Sequence, residues 1–307
     1  MIGFYTGERR CTFRSHGNFF DMSQIWELDF YSRPILDETG KKVWEILICE
    51  SPTAIDTAVD PLFRFAEYCS STEINSERLT KALQAAIAQA GTAPSRVRFF
   101  RQAMKNMITK ACTDLGIPAV PSRRTYALNQ WMQHRLAEEY PKQPGFQPGT
   151  SPSVSFATLA AQSLPDALLG QSWAFVTLEA ATFQDMGDWA IDFGEAFPLA
   201  LAGVDPETVI PGLVMFSQRA LPLAGWMSGL ELGSLAIDTE APRLILETGV
   251  GDRWIVANLN NPQLLKEAEQ FEVTKQSANG VHFLAVQSNP ETESFAGFWL
   301  LQETILP

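Results

Sequence analysis

The stretch IWELDFYSRPILDETGKKVWEILIC, residues 25–49, decides the fold of the N-terminal part of this chain. Residues 25–32 alternate apolar with more polar side chains, which is the period of a β-strand with one buried face. Residues 33–42 contain proline, aspartate and glycine and predict a turn, and residues 43–49 predict a second strand. We therefore expect an antiparallel hairpin that carries on its first strand Trp26, Leu28 and Phe30 on one face and Glu27, Asp29 and Tyr31 on the other.

Helices and short strands follow this hairpin. Apolar residues recur at helical spacing between Ser76, a candidate N-cap, and Gly91, a candidate stop. Together with the hairpin, the later elements predict a mixed α/β layer structure, with ribonuclease-H-like strand order as the expected arrangement. Those later elements are a strand at 96–100, a helix ending at Gly116, a short extended segment at 117–120 and a helix at 122–139.

The chain divides at a segment rich in proline and glycine. YPKQPGFQPGTSPS, residues 140–153, has no apolar period and reads as a linker. We assign residues 22–140 to an N-terminal α/β domain, 141–155 to the linker and 156–307 to a second α/β domain. Residues 1–21 lack periodicity and are expected to be a disordered arm or an extension before a natural start at Met22. A short basic arm that touches a partner is the alternative.

The second domain is also expected to be mixed α/β. Residues 172–183 predict a strand, and 211–233 predict a mostly helical segment with a break at Pro222. Strands at 242–248 and 253–259 flank the turn sequence GVGD and predict a hairpin. A helix over 262–276 and strands at 281–287 and 297–302 complete the domain.

Charge is distributed unevenly between the two halves. The 307-residue chain carries a net charge of -12. Residues 1–142 hold 18 Lys and Arg against 16 Asp and Glu, about +2, whereas residues 143–307 hold 5 against 19, about -14. An acidic half repels nucleic acid, so a polyanion is expected to meet the N-terminal half. The acidic half is expected to engage protein.

Other features exclude several classes of protein. The chain has no run of about 18 apolar residues, so we expect no membrane span. Its four cysteines form no CxxC pair, which favours a reduced intracellular compartment and gives no metal site. The three histidines are scattered and no nucleophile elbow or phosphate-binding glycine motif is present, so no catalytic residue and no cofactor is assigned.

Residues 96–135 form the most basic segment, with eight cations and the single acid Asp114, a charge of +7. Arginine and lysine supply phosphate contacts, and exposed aromatic rings stack on unpaired bases. The competing interpretation is that the aromatics are core residues and the arginines form salt bridges within the domain. The candidate RNA-binding residues are Arg96, Arg98, Arg101, Lys105, Arg123, Arg124, Tyr126, Trp131 and Arg135.

Two of these arginines lie where the third helix is expected to begin. With Ser122 as the N-cap, Arg123 and Arg124 would occupy the first turn, where the helix dipole disfavours cations. A position that breaks a local rule is often part of a site. Arg124, Leu128, Trp131 and Arg135 would share one helical face.

The carboxylates Glu27, Asp29 and Glu45 are a second candidate site. Three neighbouring acids on adjacent strands can hold Mg²⁺ for phosphodiester hydrolysis. However, the strand at 96–100 adds arginines instead of a further acid. The favoured interpretation is that these acids pair with the arginines of 96–124, and a metal-dependent nuclease is the distant alternative.

Several long blocks resemble the Tab-type family of RNA-binding translation activators of cyanobacteria and chloroplasts. The resemblance spans residues 22–302, and the blocks are IWELDFYSRPILDETGKKVWEILICES, RVRFFRQAMKNMITKAC, PSRRTYAL, GVHFLAVQ and GFWLLQ. It implies a non-enzymatic cyanobacterial protein that binds the 5′ leader of a photosystem reaction-centre mRNA and promotes photosystem I biogenesis. The implied location is the cytoplasm, at the periphery of the thylakoid membranes. An assembly factor that acts through protein contacts alone is the alternative function.

Overall fold

The computed structural model describes residues 24–60, 62–149, 159–165, 170, 172–238 and 240–304. The hairpin of residues 25–49 lies at the centre of its N-terminal sheet. Strand β1 (Ile25–Leu36) pairs antiparallel with β2 (Lys42–Glu50), as predicted, and Asp29 lies opposite Leu47. The first strand runs beyond its expected end, so the turn is short. The Asp37 carboxylate accepts the backbone N–H groups of Thr39 and Lys41 there.

Three further strands complete this sheet. They are β3 (Arg64–Cys69), β4 (Arg96–Phe99) and β5 (Ala119–Pro121), and the strand order is β3-β2-β1-β4-β5. Strand β2 is antiparallel to both of its neighbours, β3 and β1, whereas β1, β4 and β5 are parallel to one another. This is the expected ribonuclease-H-like arrangement, although β3 was not predicted from the sequence.

Helices cover both faces of the N-terminal sheet. Helices α1 (Ser76–Ala90) and α2 (Lys105–Thr113) pack on the face that carries Trp26, Leu28 and Phe30. Asn75, one residue before the predicted cap, accepts the N–H of Arg78 at the start of α1, and Gly91 ends the helix at φ 75°. Helix α3 (Tyr126–His134) packs on the opposite face, against Leu47 and Cys49.

The start of α3 differs from the prediction. The helix begins at Tyr126 after the cap residue Thr125 and continues as a π-helical turn over Arg135–Glu139. Ser122 is not a helix cap, because its hydroxyl donates to Glu231 and accepts the backbone N–H of Arg124. Arg123 and Arg124 therefore precede the helix, and the argument from the helix dipole is wrong for them.

The C-terminal half contains two sheets. Its strands are β6 (Gln162–Ser163), β7 (Ser172–Glu179), β8 (Ile191–Glu195), β9 (Val209–Phe216), β10 (Leu232–Asp238), β11 (Arg243–Thr248), β12 (Asp252–Asn258), β13 (Val281–Gln287) and β14 (Phe295–Gln302). A five-stranded sheet has the order β7-β9-β13-β14-β8, and a four-stranded sheet has the order β10-β11-β12-β6. Helix α4 (Ala220–Ser228) lies between β9 and β10 in the chain, and α5 (Pro262–Ser277) lies between β12 and β13.

The prediction of a mostly helical segment at 211–233 is wrong. Residues 211–216 belong to β9, a buried strand between β7 and β13, and 232–233 begin β10. A strand buried on both faces reads as a continuous apolar run, which sequence periodicity cannot distinguish from a buried helix. Pro222 does not break the helix, because it lies in the first turn of α4, where no intrahelical N–H bond is lost. The predicted hairpin β11–β12 and helix α5 are confirmed.

The two halves share packed apolar and backbone contacts. The rings of Tyr126 and Phe197 lie 4.6 Å apart, and the Tyr126 hydroxyl accepts the N–H of Gln302. Ala196 donates its N–H to the carbonyl of Thr53, and Arg123 donates its N–H to the carbonyl of Gly249. The ion pairs described below therefore lie within a packed interface.

The described part of the proline-rich segment contacts the first strand. Leu36 donates its N–H to Gly145, and Gln147 donates its N–H to Pro34. Residues 1–21 and the remainder of the expected linker, 150–155, lie outside the described residues. Within the described ranges, no helix combines the length and the apolar composition needed to cross a membrane.

Candidate functional site

Most of the predicted RNA-binding arginines meet carboxylates of the other half of the chain. We call this group the interdomain cluster. It joins the basic strand β4 and the segment before α3 to acids on β8, on β11 and directly before β10. Its members are Arg96, Arg98, Arg123 and Arg124 from the N-terminal half and Glu195, Glu231 and Glu247 from the C-terminal half.

Arg98 lies at the centre of the interdomain cluster. Its side chain is 1% exposed, and its two terminal nitrogens lie 2.6 and 2.8 Å from the two oxygens of Glu195. This bidentate arrangement is the strongest geometry available to an arginine and a carboxylate. The Nε atom of Arg98 lies 2.7 Å from Glu231. Arg98 is therefore held on both edges of its guanidinium by the acidic half.

Arg124 binds the same carboxylate. Its Nε lies 3.0 Å from Glu195, and Nη1 donates to the backbone carbonyls of Leu232 and Leu300 at 3.2 Å each. The side chain of Arg124 is 3% exposed. Arg124 therefore joins both C-terminal sheets to the N-terminal half.

The cluster holds Glu195 in its charged form. Burial alone would raise the pKa of Glu195, but the positive charges of Arg124 and Arg98 and their hydrogen bonds lower it below the usual range of a glutamate. Both arginines are thus neutralised by an ionised side chain within the protein.

The predicted basic and aromatic RNA surface is not formed as expected. Six of the nine candidates are buried, and their charges or rings are used inside the protein. Only Lys105 is exposed, while Arg96 is 37% and Arg123 is 23% exposed in ion pairs with Glu231 and Glu247. The buried six are Arg98, Arg101, Arg124, Tyr126, Trp131 and Arg135.

A second group, the sheet cluster, surrounds Asp29 and Glu45 on the α3 face of the N-terminal sheet. Arg33 bonds Asp29 at 2.9 Å and Glu45 at 2.8 Å, and Arg101 bonds Asp29 at 2.6 Å. Arg135 and the Tyr140 hydroxyl also donate to Glu45. Two of the three acids, Asp29 and Glu45, pair with arginines as favoured, but Arg33 and Arg135 lie outside the expected range of 96–124.

This arrangement opposes the nuclease alternative. Guanidinium groups lie where a metal ion would contact Asp29 and Glu45, and each carboxylate is already bonded to two or more donors. Across the residues that the structure describes, no three histidine, cysteine or acidic side chains are placed to share a metal ion. Asp29 and Glu45 are therefore structural counterions.

Glu27 differs from the other two acids because no arginine of the described residues bonds to it. Its Oε2 accepts the backbone N–H of Leu128 at 2.7 Å, and the Cys49 thiol lies 3.9 Å away. Burial raises the pKa of Glu27 to about 7, and the Leu128 hydrogen bond and the charge of Arg98 only partly oppose this. A buried carboxyl that titrates near neutrality links stability to pH.

We expect stability to fall as pH rises from about 4.5 to about 7. In this window the unfolded chain ionises Glu27 while the folded chain keeps it protonated, so ionisation favours unfolding. The loss reaches about 3 kcal/mol by the linkage relation. Glu27→Gln is expected to remove this dependence, as measured by urea unfolding at pH 5 and pH 8. An unchanged difference between the two pH values in the variant would rule out Glu27 as its source.

The exposed face of β3 carries a cation near one end and an aromatic ring near the other. Arg64, Ala66 and Tyr68 are exposed and lie on one face of this edge strand, opposite Cys49, Leu47 and Glu45 of β2. The Arg64 guanidinium lies 5.5 Å from the Trp131 ring, and Arg135 donates to the Tyr68 hydroxyl. We call Arg64, Tyr68, Trp131 and Arg135 the β3 platform.

Sequence reasoning missed the residues that complete these groups. Arg64 and Tyr68 lie on a strand whose sequence, RFAEYC, does not alternate cleanly between polar and apolar residues, because Glu67 shares a face with Phe65 and Cys69. No local motif identifies Glu195, Glu231 or Glu247. The charge difference between the halves, about +2 and -14, is the one signal that could have indicated mutual attraction.

Comparison with known proteins agrees with this architecture. The N-terminal domain model of "RNA-binding protein Tab2/Atab2" matches residues 25–135, and its C-terminal domain model matches residues 151–302. This chain belongs to the Tab2/Atab2 family. The two domain models divide the Tab2/Atab2 chain close to the proline-rich segment, and the interdomain cluster joins the two matched regions.

Two plant relatives in the Tab2/Atab2 family align over most of the chain. "Protein TAB2 homolog, chloroplastic" of Zea mays is 40% identical over 283 residues, covering 90% of this chain and 70% of the relative. The protein of the same name from Arabidopsis thaliana is 39% identical over 288 residues, covering 92% and 75%. Tab2/Atab2 membership therefore rests on similarity along both halves.

One solved structure shows a weak likeness to this Tab2/Atab2 protein. It is a cryo-electron microscopy structure of the simian T-cell lymphotropic virus intasome in complex with PP2A regulatory subunit B56 gamma. The TM-score is 0.28 at 19% identity, covering 40% of this chain and 44% of that chain. A likeness at this level carries no argument about fold or function.

Proposed function

We propose that this protein binds single-stranded RNA on the β3 platform and promotes translation of a photosystem reaction-centre mRNA through its 5′ leader. The observation that carries the proposal is the exposed pair of Arg64 and Tyr68, with Tyr68 39% exposed on an edge strand. Membership of a family described as RNA-binding supports it. The mechanism is non-enzymatic, because the protein holds and presents the strand without cleaving it.

The β3 platform suits unpaired bases. A tyrosine ring that is fixed at its hydroxyl by Arg135 and open on the outside can stack on a base, and stacking tolerates any base. Arg64 lies four residues before Tyr68 on the same face of β3. Its guanidinium can bind a phosphate of the strand whose base stacks on Tyr68. Trp131 and Arg135, from the predicted set, act here by holding Arg64 and Tyr68 in place.

We expect Tyr68→Ala to weaken RNA binding by about 5- to 150-fold, because loss of one stacked base costs about 1–3 kcal/mol. Tyr68→Phe keeps the ring and is expected to retain most of the affinity. The measurement is filter binding of a 5′-leader RNA from a photosystem reaction-centre gene, beside a scrambled RNA of equal length. Equal affinity of Tyr68→Ala and the unchanged protein would contradict the stacking role.

Salt dependence tests the contribution of Arg64. In the same filter-binding assay, Arg64→Ala is expected to make the slope of log affinity against log salt shallower by about 0.7, the value for one phosphate contact on a single strand. Lys81→Ala is the matched control, because Lys81 is an exposed cation on α1, on the opposite side of the sheet. Equal slopes in the two variants would place the phosphate contact elsewhere.

The second candidate function is photosystem assembly through protein contacts alone. It is favoured by the burial of Arg98, Arg101 and Arg124 in internal ion pairs, which removes three cations from the surface. The acidic C-terminal half would then bind a protein partner. Failure of the 5′-leader RNA to bind at low salt would favour this candidate over RNA binding.

The proposed place of action is the cytoplasm of a photosynthetic cell, at the periphery of the thylakoid membranes. The names of the two plant relatives place those proteins in the chloroplast. A photosystem mRNA is translated beside the membrane that receives its product, so a translation activator is expected at that site.

A further inference from the structure

We infer that a cavity at the start of α5 in the C-terminal half binds one nucleotide. The cavity has a volume of about 450 Å³ and lies where the hairpin β11–β12 meets the helix. This volume falls in the range of small-molecule binding sites. The ligand is a planar base with an attached phosphate, taken either from an RNA strand or from a free nucleotide. The RNA source rests on the proposed function.

The charge of the cavity is opposite to that of its surroundings. Residues 143–307 carry a charge of about -14, yet none of the lining residues is acidic. Arg243 lines the cavity, and within the described ranges its guanidinium has no ion pair or hydrogen bond. Of the five cations in this half, Arg253 and Lys275 are instead paired with acids. An unused guanidinium in an acid-free cavity favours an anionic group such as a phosphate.

The amide side chains of the cavity match a nucleobase. Asn258 faces Arg243 across the β11–β12 ladder, and Asn260 follows in the loop before α5. Neither side-chain amide is hydrogen-bonded to any residue that the structure describes, so each offers a donor and an acceptor side by side. That pair of groups is complementary to the hydrogen-bonding edge of a base.

Apart from Asn261, the remaining lining is apolar. Leu259 is 2% exposed and Leu265 is half-buried in the first turns of α5. The side chain of Asn261 accepts the N–H of Leu264 and so fixes the start of the helix. Pro262 and Leu265 keep exposed surface and can pack on the face of a base while the amides bind its edge. The cavity therefore supplies separate contacts for the phosphate, the edge and the face of one nucleotide.

The test compares Arg243→Ala with Lys266→Ala. Lys266 is an exposed cation on α5 outside the cavity lining, so it controls for net charge. We expect Arg243→Ala to weaken binding of a fluorescent 12-nucleotide single-stranded RNA by about tenfold, as for loss of a charge-assisted hydrogen bond. Asn258→Ala is a second variant with the same expectation. Circular dichroism and the melting temperature confirm that each variant is folded.

A second arm separates the two sources of the nucleotide. Isothermal titration with AMP and UMP measures the free nucleotide, and crosslinking of 4-thiouridine RNA followed by mass spectrometry locates the strand. If Arg243→Ala loses the binding of AMP or UMP but keeps its affinity for RNA, the cavity is assigned to a free nucleotide. Crosslinks within 241–265 with a weaker Arg243→Ala complex assign it to RNA.

Some outcomes would overturn the inference. In the first, Arg243→Ala and Asn258→Ala bind RNA, AMP and UMP with the affinity of the unchanged protein. In the second, the cavity binds a glutamate-rich peptide in place of a nucleotide. These outcomes are distinct from failure of the β3 platform. If Tyr68→Ala abolishes RNA binding while Arg243→Ala leaves all binding unchanged, the cavity assignment fails and the proposed function stands.

Discussion

Glu195→Ala is expected to lower the free energy of unfolding by about 3 kcal/mol, the cost of removing one partner from a buried ion pair. Arg98 and Arg124 would remain buried with their charges uncompensated, since both bind Glu195 in the interface. Glu231 would still contact Arg98, but at its other edge. Urea unfolding followed by tryptophan fluorescence measures the change, because several of the eight tryptophans lie in the C-terminal half.

Asp192→Ala is the matched control for this prediction. Asp192 lies on the same strand, β8, and is exposed, with no hydrogen bond or ion pair to the described residues. We expect its removal to change stability by no more than about 0.5 kcal/mol. Equal stabilities for the two variants would mean that the interdomain cluster does not hold the halves together.

Glu45→Ala is expected to cost about 3 to 5 kcal/mol, the largest effect of any single substitution considered. The side chain of Glu45 is fully buried, and three groups donate to it: Arg33, Arg135 and the Tyr140 hydroxyl. Its loss leaves Arg33 with Asp29 alone and Arg135 with the partly exposed Glu139. Both buried cations would draw water into the sheet face, which thermal and urea unfolding can detect.

Glu38→Ala provides the comparison for Glu45→Ala. Glu38 is exposed in the turn of the same hairpin, and its removal is expected to be nearly neutral. The double substitution Glu45→Leu with Arg135→Leu removes charge from both partners and is expected to be less harmful than Glu45→Ala. A double variant that is as unstable as Glu45→Ala would show that packing, and not charge, explains the loss.

The sequence predicts those parts of the fold that depend on neighbours in the chain. The β1–β2 hairpin, α1 and the β11–β12 hairpin follow from local periodicity and turn residues, and the structure confirms them. Strand β9 was predicted as helix, because its identity depends on flanking by β7 and β13 and not on its own pattern. The sequence of a segment alone does not show which other segments it packs against.

The candidate site shows the same limit more strongly. The excess of cations at 96–135 is real, but its meaning depends on acids far away in the chain. Arg98 and Arg124 are separated from Glu195 by 97 and 71 residues. Their composition predicts an external polyanion, whereas Glu195 and Glu231 of the C-terminal half neutralise them. An excess of positive charge shows that an anionic partner is needed. It does not show whether that partner is a nucleic acid or a carboxylate of the same chain.

The length of these separations affects the order of events during synthesis. The ribosome adds about 5–20 residues per second, so Arg98 emerges about 5 to 20 s before Glu195, which follows 97 residues later. Until then the arginines of the N-terminal half lack their final counterions. The ring of Tyr126, which later packs against Phe197, is also exposed. The arginines of the newly made N-terminal half therefore stay hydrated until the C-terminal half has been synthesised. A stalled ribosome in the second half would leave a fragment that chaperones or proteases recognise.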